Sequence, residues 1–293
     1  MAHWIWRHFA IDVPDDWEML QFSRDLETGT CHFADRYRFR LEFNWRRVPG
    51  QPDFDRLISD YVAKLKDQQG MKDARETRAG DWRGIEGHLG EVMTTRFGAH
   101  FPGEACLIEV VLIWPGDRDA GLERAILASI QEQPPREDGF RRWRAFGMDL
   151  LASNDTVLAN CTIKPAYGQM TFSSRTSWGR KEVFQRLGMV KYWLKGTVEA
   201  WLALQVGPGV KVRSRSTHEH ARHTIHTLSG EKMAKRFPRL RAARLAYAAA
   251  GWICPADERL YHVACLEPDV KKTEGIALAG NRLSCCKDRG LRQ

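Results

Sequence analysis

"RRWRAFGMDL", residues 141–150, repeats near the middle of the chain what "WIWRHFAIDV", residues 4–13, says at its start. Aligned directly, Trp6 meets Trp143, Arg7 meets Arg144, Phe9 meets Phe146 and Asp12 meets Asp149. Two further matches keep the order. "GTCHF", 29–33, pairs with "GQMTF", 168–172, and "IWPGD", 113–117, pairs with "ICPAD", 253–257. Three matches in one order point to a duplicated domain rather than to chance. The boundary falls at "QEQPPREDG", 131–139, where consecutive prolines end the preceding helical pattern. The reading is a first domain over 1–131, a Pro-rich linker over 132–139, and a second, diverged copy with its tail over 140–293.

Local patterns within the first copy follow two periods. In "YRFRLEFNWRRV", 37–48, Tyr37, Phe39, Leu41, Phe43 and Trp45 alternate with Arg38, Arg40, Glu42, Asn44 and Arg46. That spacing predicts a strand with one buried and one wet face. In "DFDRLISDYVAKLKDQQG", 53–70, apolar residues recur at helical spacing, with Asp53 placed to cap the start and Gly70 the end. "WIWRHFAIDV" reads as one strand. "WRGIEGHLGEVMTT" and "ACLIEVVLIWP" read as further strands, and "AGLERAILASIQ" as a closing helix. In the second copy, "VKYWLKGTVEAWLALQVG", 190–207, takes the helix's place, with Tyr192, Trp193 and Trp201 making it unusually aromatic. "GVKVRSRST", "ARHTIHTLSG" and "RLAYAAAGWIC" take the later strand places. The expected fold class is α+β: two tandem domains, each an antiparallel sheet with a helix on one face, arranged as an internal pseudo-dimer.

This order of elements resembles the PsbP/Mog-like family. That family includes the extrinsic PsbP subunit of photosystem II, Ran-binding Mog proteins and bacterial secretion-effector chaperones. The resemblance rests on the opening aromatic strand, "IDVPDDWEM", the alternating "RFRLEFNW" and the helix "FDRLISDYVAKL". It covers most of 4–130 and, less fully, 141–270, where "LASND" replaces the "VPDDW" turn. The resemblance implies a protein-binding role without a shared catalytic centre.

Charge is divided unevenly. The chain carries +8 overall, but residues 1–135 sum to −6 and residues 136–293 to +14. Either the halves dock on each other or the second half meets an acidic partner. Composition is that of a globular protein, with 43% hydrophobic and 28% charged residues. The start lacks a secretory pattern and no stretch has the length of a membrane helix, so a cytoplasmic location without membrane insertion is expected. Seven cysteines, an odd number, are expected to be reduced thiols.

Three functions compete. The first is a non-enzymatic protein-binding, chaperone or assembly protein, argued from the absence of a nucleophile–base pair or phosphate loop. Its candidate surface includes Arg38, Arg40 and Arg46 on the outer face of the alternating strand. The second is a metal protein, with His218, His220, His223 and His226 as ligands, Cys254 and Cys265 as further donors, and zinc as the candidate ion. The standard CxxC knuckles are missing, and Cys285 and Cys286 have no assigned role. The third is nucleic-acid or polyanion binding. Here Lys211, Arg213 and Arg215 would share a strand face, joined by Lys232, Lys235, Arg236, Arg239, Arg241 and Arg244. An enzyme is the less favoured class, and no cofactor other than the metal is expected.

Overall fold

The computed structural model describes residues 1–68, 70–220, 222–235, 242–268 and 279–285. It divides into two compact units, Met1–Pro134 and Pro135–Gln293.

The first unit opens with a hairpin, β1 (Ala2–Trp6) and β2 (Phe9–Val13). "WIWRHFAIDV" is therefore two strands rather than one. Trp6 and Phe9 close a two-residue turn in which Arg7 takes φ 57°; positive φ matches the turn to the twist of its strands. Next come β3 (Glu18–Phe22), β4 (Thr28–Ala34), β5 (Phe39–Arg47), α1 (Phe54–Gln68), β6 (Met71–Ala79), β7 (Trp82–Leu89), β8 (Val92–Phe101), β9 (Cys106–Trp114), α2 (Ala120–Ser129) and β10 (Gln131–Glu132). β3 to β9 form one antiparallel sheet in the order β3-β4-β5-β9-β8-β7-β6. The alternation read in β5 sets its core. Leu41, Phe43 and Trp45 lie opposite Leu112, Val110 and Ile108 of β9, and all six are buried. The hairpin packs on that face, with Phe9 5.8 Å from Phe43 and Trp4 5.4 Å from Phe33 between ring centroids. On the other face α1 buries Ile58 against Met71 and Ile85. Asp53 caps α1 by accepting from the Arg56 amide at 3.1 Å, and Gly70 follows it at φ 62°.

The second unit follows the same plan. Its hairpin is β11 (Phe140–Ala145) and β12 (Met148–Ser153), turned at Phe146 and Gly147 with φ 52° and 69°. Then come β13 (Thr156–Lys164), β14 (Tyr167–Ser174), β15 (Lys181–Leu187), α3 (Val190–Trp193), α4 (Val198–Leu204), β16 (Val210–His220), β17 (His223–Lys235), β18 (Ala242–Cys254), β19 (Arg259–Glu267) and β20 (Leu283–Ser284). The sheet order is β13-β14-β15-β19-β18-β17-β16, strand for strand that of the first unit. α4 packs Leu202 onto Leu228, Tyr247 and Ala249. The opposite face carries Phe172 and Phe184, with Trp143 of the hairpin 5.2 Å from Phe172.

Three corrections to the sequence reading follow. The fold class is not α+β. Strand makes up 58% of the structure and helix 13%, in large antiparallel sheets, and the second unit has two short helices where one long helix was expected. Gly196, at φ 133°, lies between those two helices. The repeat register also shifts. The two hairpin turns align Trp4, not Trp6, with Trp143, the same offset that aligns Phe33 with Phe172. The edge-to-face pair Trp4–Phe33 is then matched by Trp143–Phe172. Finally, "ICPAD" ends β18 whereas "IWPGD" ends β9, so those prolines occupy different places in the sheet. Pro268, after β19, stands where Pro115 stands.

Candidate functional site

The residues expected to form a binding surface are partly engaged within the chain. Arg38 is exposed in the turn before β5. Arg40 is ion-paired with Asp35 at 3.2 Å and lies over the Trp17 ring. Arg46 is exposed at the end of β5. Between them the wet face is partly covered. Asn44 donates to Glu109 at 3.0 Å and Tyr61 of α1 donates to the same carboxylate at 2.9 Å.

The basic strand β16 is broken by a bulge. Val212 pairs with Gly230, but Ser214 pairs with Ser229, so Arg213 is the extra residue. One inserted residue reverses the pleat. Lys211, opposite Glu231, and Arg215, opposite Leu228, therefore point to different faces and do not form the single basic stripe expected from their spacing. Arg213 and Arg244 both pair with Glu231, at 3.3 and 3.5 Å, and Arg215 approaches Glu199 of α4 at 3.9 Å. Arg236, Arg239 and Arg241 lie outside the described residues.

The four histidines do not converge. His218 and His220 are exposed on the edge strand β16. His226 faces Thr217, whose hydroxyl lies 3.0 Å from Nδ1, on the sheet face opposite to that of His223. His223 alone is buried, at the start of β17. There it meets Cys254, at the end of β18, and Cys285, just past β20. The candidate ligand atoms of these three all lie within 4.8 Å of one another. Among the described residues no other group of three such side chains is so arranged. His223 Nε2 is 3.2 Å from Cys285 Sγ, and Trp252 Nε1 donates to the same sulfur at 3.2 Å. The amides of Ala256 and Asp257 donate to Cys254. Burial pushes the Cys254 thiol up and those two amides pull it down.

Cys265 belongs elsewhere. It is buried 3.4 Å from Arg282, whose guanidinium pairs with Glu182 at 2.8 Å, and burial pushes its thiol up to about 12. Cys286 lies outside the described residues. Sequence reading named His223 and Cys254 but attached them to the wrong companions. The missing signal was the antiparallel β17–β18 pairing, which brings residues far apart in sequence to one end of the sheet.

A second feature is apolar and exposed. Along α3 and α4, Met189 is 62% exposed, Tyr192 70% and Leu204 81%. Trp193 packs on Trp201 at 6.2 Å between ring centroids and donates from Nε1 to the Gly188 carbonyl at 2.9 Å. Met189 holds φ 55°, unusual for a residue with a side chain. Lys191 lies over the Tyr192 ring and 3.9 Å from Glu258, and Lys195 is exposed.

No family model and no curated protein matches the sequence. Among solved structures, the chain is similar to the apo form of the immunity protein TplEi of T6SS from Pseudomonas aeruginosa. The TM-score is 0.37 and the identity 9%, over 97% of this chain and 96% of that one. That score does not establish a shared fold. No helix among the described residues is long and apolar enough to cross a membrane.

Proposed function

We propose that the protein binds another protein, as an assembly or scaffold subunit, and that the partner seats on the α3–α4 segment. The observation that carries this reading is the exposure of Met189, Tyr192 and Leu204 beside the Trp193–Trp201 pair. Folding leaves such side chains in water only at a cost, and aromatic residues and Met are the types enriched at the centres of interfaces. Exposed Lys195 at the rim, in a half with charge +14, suits an acidic partner, whereas Lys191 lies 3.9 Å from Glu258. Polyanion binding through β16 has less support, because Arg213, Arg215 and Arg244 already have carboxylates to pair with. The identical strand orders and the matched Trp–Phe pairs support reading the second unit as a diverged copy that has gained this segment.

The test is affinity capture from native lysate with the wild-type chain, Tyr192→Ala/Leu204→Ala, and Arg46→Ala as control. Losing an anchor side chain costs about 2 kcal/mol or more where it is a hot spot, roughly thirtyfold in affinity for each of the two. The reading expects the same protein to be retained by wild type and Arg46→Ala but lost by the double variant. Equal retention by all three contradicts it.

A further inference from the structure

We propose that His223, Cys254 and Cys285 form a binding site for a soft d¹⁰ metal ion, zinc in the first instance. His223 Nε2 and the two Sγ atoms would be its ligands, with a water in the fourth place. The proposal uses none of the exposed α3–α4 side chains and does not depend on the reading of that surface.

The spacing of the three donors suits one ion. Zinc holds sulfur at about 2.3 Å and imidazole nitrogen at about 2.0–2.1 Å in a tetrahedron. Ligand atoms on one ion are then roughly 3.5 Å apart. His223 Nε2 and Cys285 Sγ are already 3.2 Å apart, and the third donor is within 4.8 Å of both. Side-chain shifts of a few tenths of an ångström to about an ångström would gather them around one centre.

The donors around the sulfurs make the second point. Cys254 begins the turn Cys254–Pro255–Ala256–Asp257, and the third and fourth residues turn their amides onto its sulfur. Trp252 sends its indole N–H to Cys285. A neutral thiol sulfur is a weak acceptor. The same three N–H groups become charge-assisted once the sulfurs are thiolates. Such outer donors hold metal-bound thiolates in place.

Charge makes the third. Cys254 and His223 are buried. Two bare thiolates there would be costly, and a dication with two thiolates and a neutral imidazole has no net charge. Thiolate and imidazole together select zinc or copper(I) over magnesium or calcium. The ligands come from the start of β17, the end of β18 and Cys285 just past β20, so the ion would tie β20 to the end of the sheet. Metal binding would then add to folding stability.

The experiment uses the full-length chain without a histidine tag, reduced, stripped with a chelator and dialysed. Zinc content after reloading is expected to be one ion per chain. Cobalt(II) in place of zinc is expected to give the near-ultraviolet charge-transfer band of a thiolate–metal bond, displaced by zinc. Cys285→Ser, at a half-buried position, should lose the band and at least tenfold in zinc affinity, while Cys161→Ser should keep both. Thiol alkylation read by mass spectrometry covers the case in which the variant misfolds: in the wild type, zinc should slow labelling of Cys254 and Cys285, and chelator should restore it. Three results would overturn the proposal. The wild type could show no charge-transfer band. The band could survive in a folded Cys285→Ser. Or Cys254 and Cys285 could be isolated as a disulfide whose reduced form takes up no metal, which would make them a redox pair.

Discussion

His262 shows how one buried side chain ties stability to pH. It is fully enclosed on β19, with Nδ1 2.7 Å from the Gln185 amide oxygen and its ring edge-on to Trp201. Burial pushes its pKa down to about 4, against an ordinary value of 6.5. Between those values the unfolded chain binds a proton that the folded chain refuses. Stability therefore rises with pH through that window and is lost as pH falls from about 6.5 toward 4. At about 1.4 kcal/mol per pH unit the effect reaches roughly 3 kcal/mol. Urea unfolding at pH 7 and pH 4.5 should show this loss, and His262→Gln should flatten it; an unchanged slope in the variant would assign the pH dependence elsewhere. Glu182 makes a buried ion pair. It is buried against Arg282 and accepts from the Ser153 amide at 3.0 Å. Glu182→Ala strands a buried guanidinium and is expected to cost about 3–5 kcal/mol in denaturant midpoint analysis. Little of this was legible beforehand. Nothing in the spacing of Glu182 and Arg282 says that they meet, because a tertiary ion pair leaves no local period. By contrast, Leu41, Phe43 and Trp45 were readable as core, because a strand with one covered face must alternate.

Elements were legible where one face is covered and obscure where it is not. β5 sits inside its sheet and announced itself. β3, β6, β13 and β16 are the edge strands of the two seven-stranded sheets, with mixed or exposed side chains, and an edge kept polar avoids pairing with other chains. β6 and β13 accordingly had no apolar alternation to read. β16 showed a false one, because the bulge at Arg213 reverses the pleat without marking the sequence. Gly230 is the element's own check. A Cβ there would stand 2.4 Å from the Lys211 carbonyl, where the strands come close beside the bulge. Gly230→Ala is expected to cost about 1–3 kcal/mol in thermal or urea unfolding. A neutral result would mean that the bulge is not where the register puts it. The repeat was misread by two residues for a related reason: two residues are one pleat period, so every side chain kept its face and the pattern still matched.

At the scale of the molecule, each unit is a seven-stranded antiparallel sheet with a hairpin layer on one face and a helix on part of the other. The expectation of α+β overweighted two clear helical segments and missed polar strands that outnumber them. A far-UV circular dichroism spectrum should be dominated by strand, and a helix-dominated one would contradict the fold. The same frame was used differently in the two units. Where the first has the long helix α1, the second has two short, aromatic helices that leave Met189, Tyr192 and Leu204 in water, and its sheet ends in the His223–Cys254–Cys285 cluster. The central claim is that the α3–α4 segment is the recognition surface. Hydrogen exchange of the full-length chain, free and in the captured complex, tests it most directly. The account predicts that partner binding slows exchange chiefly within residues 188–206. Unchanged exchange there, with protection instead along β16 or on the first unit, would contradict it.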